Sequence, residues 1–147
     1  MAQSESPFSL TDLSNKLEIG SRPGTLWSLS SQKPGHGVRQ LRDADLEQLW
    51  QSDGTQPHRI TIDFGRRTAV THVSLWLNVR RDDSYTPTKV LVEAGTDYHD
   101  LTEVRFRQWD SDASQAPIWT WMIQISVLAN HQNGKDTHVR GCLVWGP

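Results

Sequence analysis

Residues 129–140 read Ala-Asn-His-Gln-Asn-Gly-Lys-Asp-Thr-His-Val-Arg. They hold amides at Asn130, Gln132 and Asn133, imidazoles at His131 and His138, and the polar groups of Lys135, Asp136 and Thr137. Such a set donates and accepts hydrogen bonds in many directions while fixing little charge. It suits an extended peptide backbone or a sugar, since both present donors and acceptors to amide side chains. A turn alone would not need so many of these groups. Asn, Asp and Thr also bond their own backbone in ordinary solvated loops, however, and composition leaves that reading open. Asn133-Gly134 is the strongest turn signal in the chain, because both residues tolerate positive φ.

The same residues make a poor catalyst. His131 and His138 lie seven positions apart, which is not a standard zinc spacing, and the single Cys142 cannot complete a structural zinc site. There is no Gly-x-Ser-x-Gly elbow and no phosphate-cradling Gly-x-x-x-x-Gly-Lys-Ser/Thr. Asp82 and Asp83 are neighbours whose side chains point apart, so they form a weak acid/base pair. Ser84, His131 and Asp136 can be grouped into a triad on paper, but only geometry identifies a triad. No catalytic residue, metal ligand or cofactor is read from the sequence. Binding remains, with Tyr85 as an amphipathic anchor.

The elements that must position this loop are strands. It lies between apolar runs at 119–128 and 139–145, as a hairpin or a longer strand-to-strand connection. Trp119, Trp121, Ile123, Ile125 and Val127 alternate with Thr120, Met122, Gln124 and Ser126. Similar alternation appears at Ile60, Ile62 and Phe64, along 70–79, at Val90 and Val92, and around Val104 and Phe106. Gly65-Arg66-Arg67-Thr68 reads as a turn between two of these runs. Period-two segments separated by turn clusters, with no crossover helix between them, indicate an all-β sandwich. The stretch 20–37 is too rich in Gly and Pro for a helix and reads as a long loop with a short strand at 26–30. One helical turn is expected within 40–50, capped by Asp43, with Leu46, Leu49 and Trp50 turned inward. Phe8, Leu13 and Leu17 suggest a short helix or lid near the start.

Composition narrows the function. With 147 residues the chain makes one domain, and a net charge of −2 argues against a general nucleic-acid binder. The basic pairs Arg66-Arg67 and Arg80-Arg81 read as solvated strand ends. A single cysteine excludes an intrachain disulfide and fits a reducing compartment. Residues 1–7 carry no basic region followed by an apolar one, and no apolar run approaches the roughly 20 residues of a membrane helix. A soluble intracellular protein is expected. The seven tryptophans are expected mostly in the core, among them Trp27, Trp50, Trp76, Trp121 and Trp145.

The stretch 130–140 is similar to the signature of the Doc domain, the fold of the substrate-recruiting subunit of the anaphase-promoting complex. Further pieces occur in the family's order: Trp27-Ser28-Leu29-Ser30-Ser31-Gln32-Lys33-Pro34-Gly35, Trp50-Gln51-Ser52-Asp53-Gly54 and Asp83-Ser84-Tyr85-Thr86-Pro87. The resemblance spans 17–145 and implies a galactose-binding-like jelly-roll β-sandwich over 17–147, preceded by a partly flexible N-terminal segment at 1–16. It also implies that loops distant in sequence gather at one end of the sandwich. Ser84, Tyr85, Asn130, His131, Gln132, Asn133, Asp136 and His138 would then face a destruction-box degron, with Ser31, Lys33, Asp83 and Thr86 in a second tier and Gly134 holding the turn. The implied function is non-catalytic: a degron co-receptor beside a β-propeller coactivator in a cullin-RING-type ubiquitin ligase, found in nucleus and cytoplasm. The family's Ile-Arg tail, which docks on a tetratricopeptide-repeat scaffold, has no counterpart within these 147 residues. The rival readings are a carbohydrate-binding jelly-roll module and a Doc domain of another, larger ligase.

Overall fold

The computed structural model describes residues 13–107 and 118–147. Its spine is the antiparallel pair β4 (His58–Val70) and β8 (Ile118–Asn130), each 13 residues long. Alternation sends Ile60, Ile62 and Phe64 inward from β4, and Ile123, Ile125 and Val127 inward from β8. β2 (Leu26–Leu29) pairs with β4, and β6 (Pro87–Gly95) pairs with β8. β7 (Thr102–Arg107) then closes a five-stranded antiparallel sheet of order β2-β4-β8-β6-β7. A three-stranded sheet, β1 (Leu17–Glu18), β10 (Gly141–Gly146) and β5 (His72–Trp76), packs against it. The shared core includes Ile19, Leu41, Trp50, Ile60, Ile62, Ile125, Val139 and Val144, all fully buried. Each such aliphatic side chain contributes roughly 1.5–3 kcal/mol on burial. Cys142 lies in this core, and desolvation pushes its thiol up to about 12. Such a group is inert near neutral pH.

A third, two-stranded ladder matters most for the site. β3 (Trp50–Gln51) pairs with β9 (His138–Val139) and ties the Trp50-Gln51-Ser52 segment to the end of the 130–138 loop. That loop is not a hairpin: it carries the chain from β8 in the larger sheet to β10 in the smaller one. Trp50 is core, as expected, and its indole N–H donates to the Ser31 carbonyl at 2.9 Å.

Several expectations need correction. Arg66 and Arg67 do not sit in a turn between strands, because β4 continues through them and its register with β8 slips between Asp63 and Thr68. A bulge and a turn carry the same Gly and polar signals, and only pairing separates them. The run 70–79 is not one strand. Val70 ends β4, β5 belongs to the other sheet, and Val79 opens a short helix α2 (Val79–Asp82), where it is exposed. The helical turn expected after Asp43 lies before it, as α1 (Val38–Leu41). Asp43 and Asp45 instead accept the N–H groups of Asp45 and Glu47, which leaves Leu46 exposed. Trp76 and Trp121 are 39% and 42% exposed rather than core. Of the segment expected to form a helix or lid near the start, residues 1–12 lie outside the described residues, and Leu17 is an exposed strand residue. Among the described residues no helix is long and apolar enough to cross a membrane.

Candidate functional site

The site is built where the 82–86 turn meets the 130–138 loop. Thr86 accepts the backbone N–H of His131 at 2.8 Å, and the Thr137 hydroxyl donates to the Tyr85 carbonyl at 3.3 Å. Between these bonds Gly134 lies against the Ser84 backbone so closely that a Cβ there would overlap the Ser84 carbonyl oxygen. Gly134 has φ −60°, so glycine is required for closeness and not for a left-handed turn. The positive φ values fall one step earlier, at Gln132 (56°) and Asn133 (59°). A 3-10 turn at His131–Asn133 results, and it presents His131, Gln132 and Asn133 to solvent. Asp83, at φ 47°, opens the facing 3-10 turn Asp83–Tyr85.

Beneath this rim a polar scaffold holds the loop. Asn130 is buried, and its side-chain N–H group donates to the carbonyls of Gly134 (3.1 Å) and Asp136 (3.0 Å). The Ser52 hydroxyl donates to Asp136 at 2.8 Å and accepts the Thr137 N–H at 2.9 Å. His58, fully buried, donates from Nε2 to the Lys135 carbonyl, while Gln56 donates to the Gly134 carbonyl at 3.2 Å. Because the two bonds of Asn130 span the whole turn, Asn130→Ala is expected to cost about 1–2 kcal/mol, as the Asp136 carbonyl loses its side-chain donor and the Gly134 carbonyl keeps only Gln56. The measurement is the urea midpoint, with an unchanged slope showing that the fold is retained.

Asp82 anchors the other side. It is 2% exposed and accepts two hydrogen bonds from Arg140 (2.9 and 2.8 Å) and one from His138 Nδ1 (2.9 Å). Burial works to raise its pKa. The hydrogen bonds from Arg140 and His138, with their charges, outweigh that and hold the carboxyl below its ordinary range. Arg140 also donates to the Leu46 carbonyl at 2.8 Å. His138 lies with Nε2 3.1 Å from Gln51 Oε1, and its ring stacks on Tyr85 at 4.1 Å and 9°. The chain from Arg140 through Asp82 and His138 therefore fixes the Tyr85 ring, which stays 38% exposed.

The candidate residues divide accordingly. Ser84, Tyr85, His131, Gln132 and Asn133 come together as an accessible rim with Asp83. Asn130 and Thr86 are buried beneath it, where they brace the loop. Asp136 and His138 are half-buried and engaged by Ser52 and Asp82. Ser31 is committed to the scaffold, since its hydroxyl accepts the Asp53 N–H at 2.8 Å and its carbonyl accepts from Trp50. Lys33 is exposed in a separate turn, its N–H bonded to the Gln51 carbonyl. Gln51, Ser52, His58, Asp82 and Arg140 were not singled out by sequence reasoning. Gln51, Ser52 and Arg140 stood inside the quoted motifs, Asp82 was weighed only as a weak acid/base partner of Asp83, and nothing local marked His58.

A sequence model described as anaphase-promoting complex, subunit 10 (APC10) matches residues 3–147. Human anaphase-promoting complex subunit 10 is 47% identical over 140 residues, covering 88% of this chain and 75% of the relative. The Drosophila melanogaster subunit 10 is 37% identical over 153 residues, 97% of this chain and 77% of the relative. Among solved structures, the family 32 carbohydrate-binding module of Clostridium perfringens NanJ, in complex with galactose, superposes with a TM-score of 0.70. Its identity is 14%, over 88% of this chain and 98% of that one. At that identity the likeness shows the jelly-roll sandwich alone. The motif-bearing loops, the sandwich that gathers them and the matched sequences together establish that this chain belongs to the anaphase-promoting complex subunit 10 family, the Doc-domain family.

Proposed function

We propose that this protein is a non-catalytic, substrate-recognising subunit or domain of the anaphase-promoting complex, a cullin-RING-type ubiquitin ligase acting in nucleus and cytoplasm. It grips a destruction-box degron together with a β-propeller coactivator, while tetratricopeptide-repeat and scaffold subunits hold it in the assembly. The observation that carries this reading is the locked juxtaposition of the 82–86 turn with the 131–133 turn. It offers Tyr85 as an apolar face and His131, Gln132 and Asn133 as mixed donors and acceptors along one rim. A rim of that kind fits an extended peptide, whose backbone alternates donor and acceptor. Two receptors sharing one degron raise its dwell time through effective concentration, so more ubiquitin is added per encounter.

The test is an NMR titration of the full chain with a destruction-box peptide and a scrambled peptide of equal charge. Isolated affinity is expected near millimolar, about −4 kcal/mol. Resonances of 83–86 and 130–138 should move with the first peptide only, and His131→Ala with Asn133→Ala should abolish the movement. Shifts in those loops with galactose, and none with the peptide, would promote the carbohydrate reading instead. That rival has one observation in its favour, the exposure of Trp119 and Trp121, but they lie away from these loops and Arg67 already occupies the Trp119 ring.

A further inference from the structure

The start of β8 carries two exposed indoles. Ile118, the register partner of buried Val70, packs against the core, so the next residue, Trp119, points to the outer face of the sheet. Trp119 and Trp121 are 57% and 42% exposed. Trp121 stands opposite the register slip on β4 between Asp63 and Thr68, where Gly65 takes φ +71° and Arg66 and Arg67 leave the ladder, and Trp119 pairs with Ala69 just beyond it. Arg67 lies over the Trp119 ring with its guanidinium carbon 4.8 Å from the centroid. Arg66 donates to the Pro23 carbonyl at 2.6 Å. Among the described residues neither arginine has a carboxylate within ion-pairing distance. The other basic pair differs, because Arg81 is neutralised by Glu47 at 2.6 Å.

We infer that this bulge is a docking surface for an extended acidic segment of a partner polypeptide. Two guanidiniums without a counter-ion call for carboxylates, and a planar guanidinium fork matches a carboxylate bidentately. The adjoining indoles supply the apolar, rigid contact area that anchors such a segment, and Trp and Arg are the residues that most often dominate binding energy at interfaces. Register slips of this kind re-aim side chains and accompany functional surfaces. The surface is also free of the proposed degron rim: Trp119 and Asn130 stand at opposite ends of β8, about 35 Å apart at ~3.3 Å per residue. One end can therefore hold a substrate while the other is held by a partner. This inference does not depend on which ligand the rim takes.

The experiment uses the full 147-residue chain labelled with 5-fluorotryptophan. Trp119→Phe and Trp121→Phe assign the two resonances in ¹⁹F spectra. The probe is a capped Glu-Asp-Glu-Pro-Phe-Glu-Asp peptide, with a lysine-substituted version as control. Both resonances should move with the acidic probe alone and less so as salt rises. Arg66→Gln with Arg67→Gln should weaken binding by about tenfold or more, as expected for charge-assisted contacts. His131→Ala with Asn133→Ala should leave this response intact, which keeps failure here separate from failure at the rim. Unmoved resonances, equal response to the lysine peptide, or an arginine double variant that binds as tightly would each overturn the proposal. So would movement on raising protein concentration alone, which would make the patch a contact between copies of this chain.

Discussion

Asp82→Ala should lower stability by about 3–5 kcal/mol, because it leaves the buried Arg140 guanidinium without its counter-ion and frees His138. In a domain of this size that corresponds to a drop in Tm of roughly 6–20 °C. Removing one member of a buried pair is costly because the remaining charge is neither solvated nor neutralised. The Asp82→Ala, Arg140→Ala double variant should therefore lose much less than the sum of the two single losses. Additive losses would show that the pair is not coupled. Asp82 also sets an acid limit. Its folded pKa lies below the ordinary 3.8, so the stability it contributes is fully present above about pH 4. It is lost as pH falls through the folded value. The gap between wild type and Asp82→Asn should accordingly be constant from pH 5 to 7 and shrink below about pH 4. The consequence reaches the site, because Tyr85 keeps its place by stacking on a ring that Asp82 orients.

Gly134→Ala is expected to have the largest effect on binding. The added methyl overlaps the Ser84 carbonyl oxygen, which is backbone and cannot swing aside as a side chain would. The 130–138 loop and the 82–86 turn must separate, at a cost of about 1–3 kcal/mol for an overpacked contact. The stability loss is thus moderate, but the rim is cut along its middle, between Tyr85 on one side and His131 and Asn133 on the other. Destruction-box peptide shifts should disappear while the core resonances of β4 and β8 stay in place. If Gly134→Ala still moves the same resonances at the same peptide concentration, the two segments do not act as one surface.

Much of the architecture was legible because its cause is local. Ile60, Ile62 and Phe64 and their partners Ile123, Ile125 and Val127 announce two half-buried strands by their spacing, and the Pro and Gly of 20–37 announce a loop. The two motifs, Asn130 to Arg140 and Asp83 to Pro87, were legible as polar segments, and the structure brings them together. Neither motif could say which of its members face outward. Asn130 and His131 are adjacent and equally polar, yet one is a buried brace and the other an exposed side chain. The difference lies in where the chain leaves β8.

The amino-acid sequence by itself determined the β-sandwich class, the position of the polar loop and the want of a recognisable catalytic motif. These follow from periodicity, turn chemistry and residue type, all of which act over a few positions. Only the tertiary structure decided the rest. Asp82 became the anchor and Asp83 the rim residue because Arg140, 58 positions away, lies beside the first and not the second. Gly134 was needed for the approach of Ser84, not for its own dihedral angles. Trp121 stands opposite the stretch of β4 where the register slips, and it is exposed although its spacing from Ile123 and Ile125 is that of a core residue. In each case the deciding neighbour comes from another part of the chain, and no short-range pattern records it.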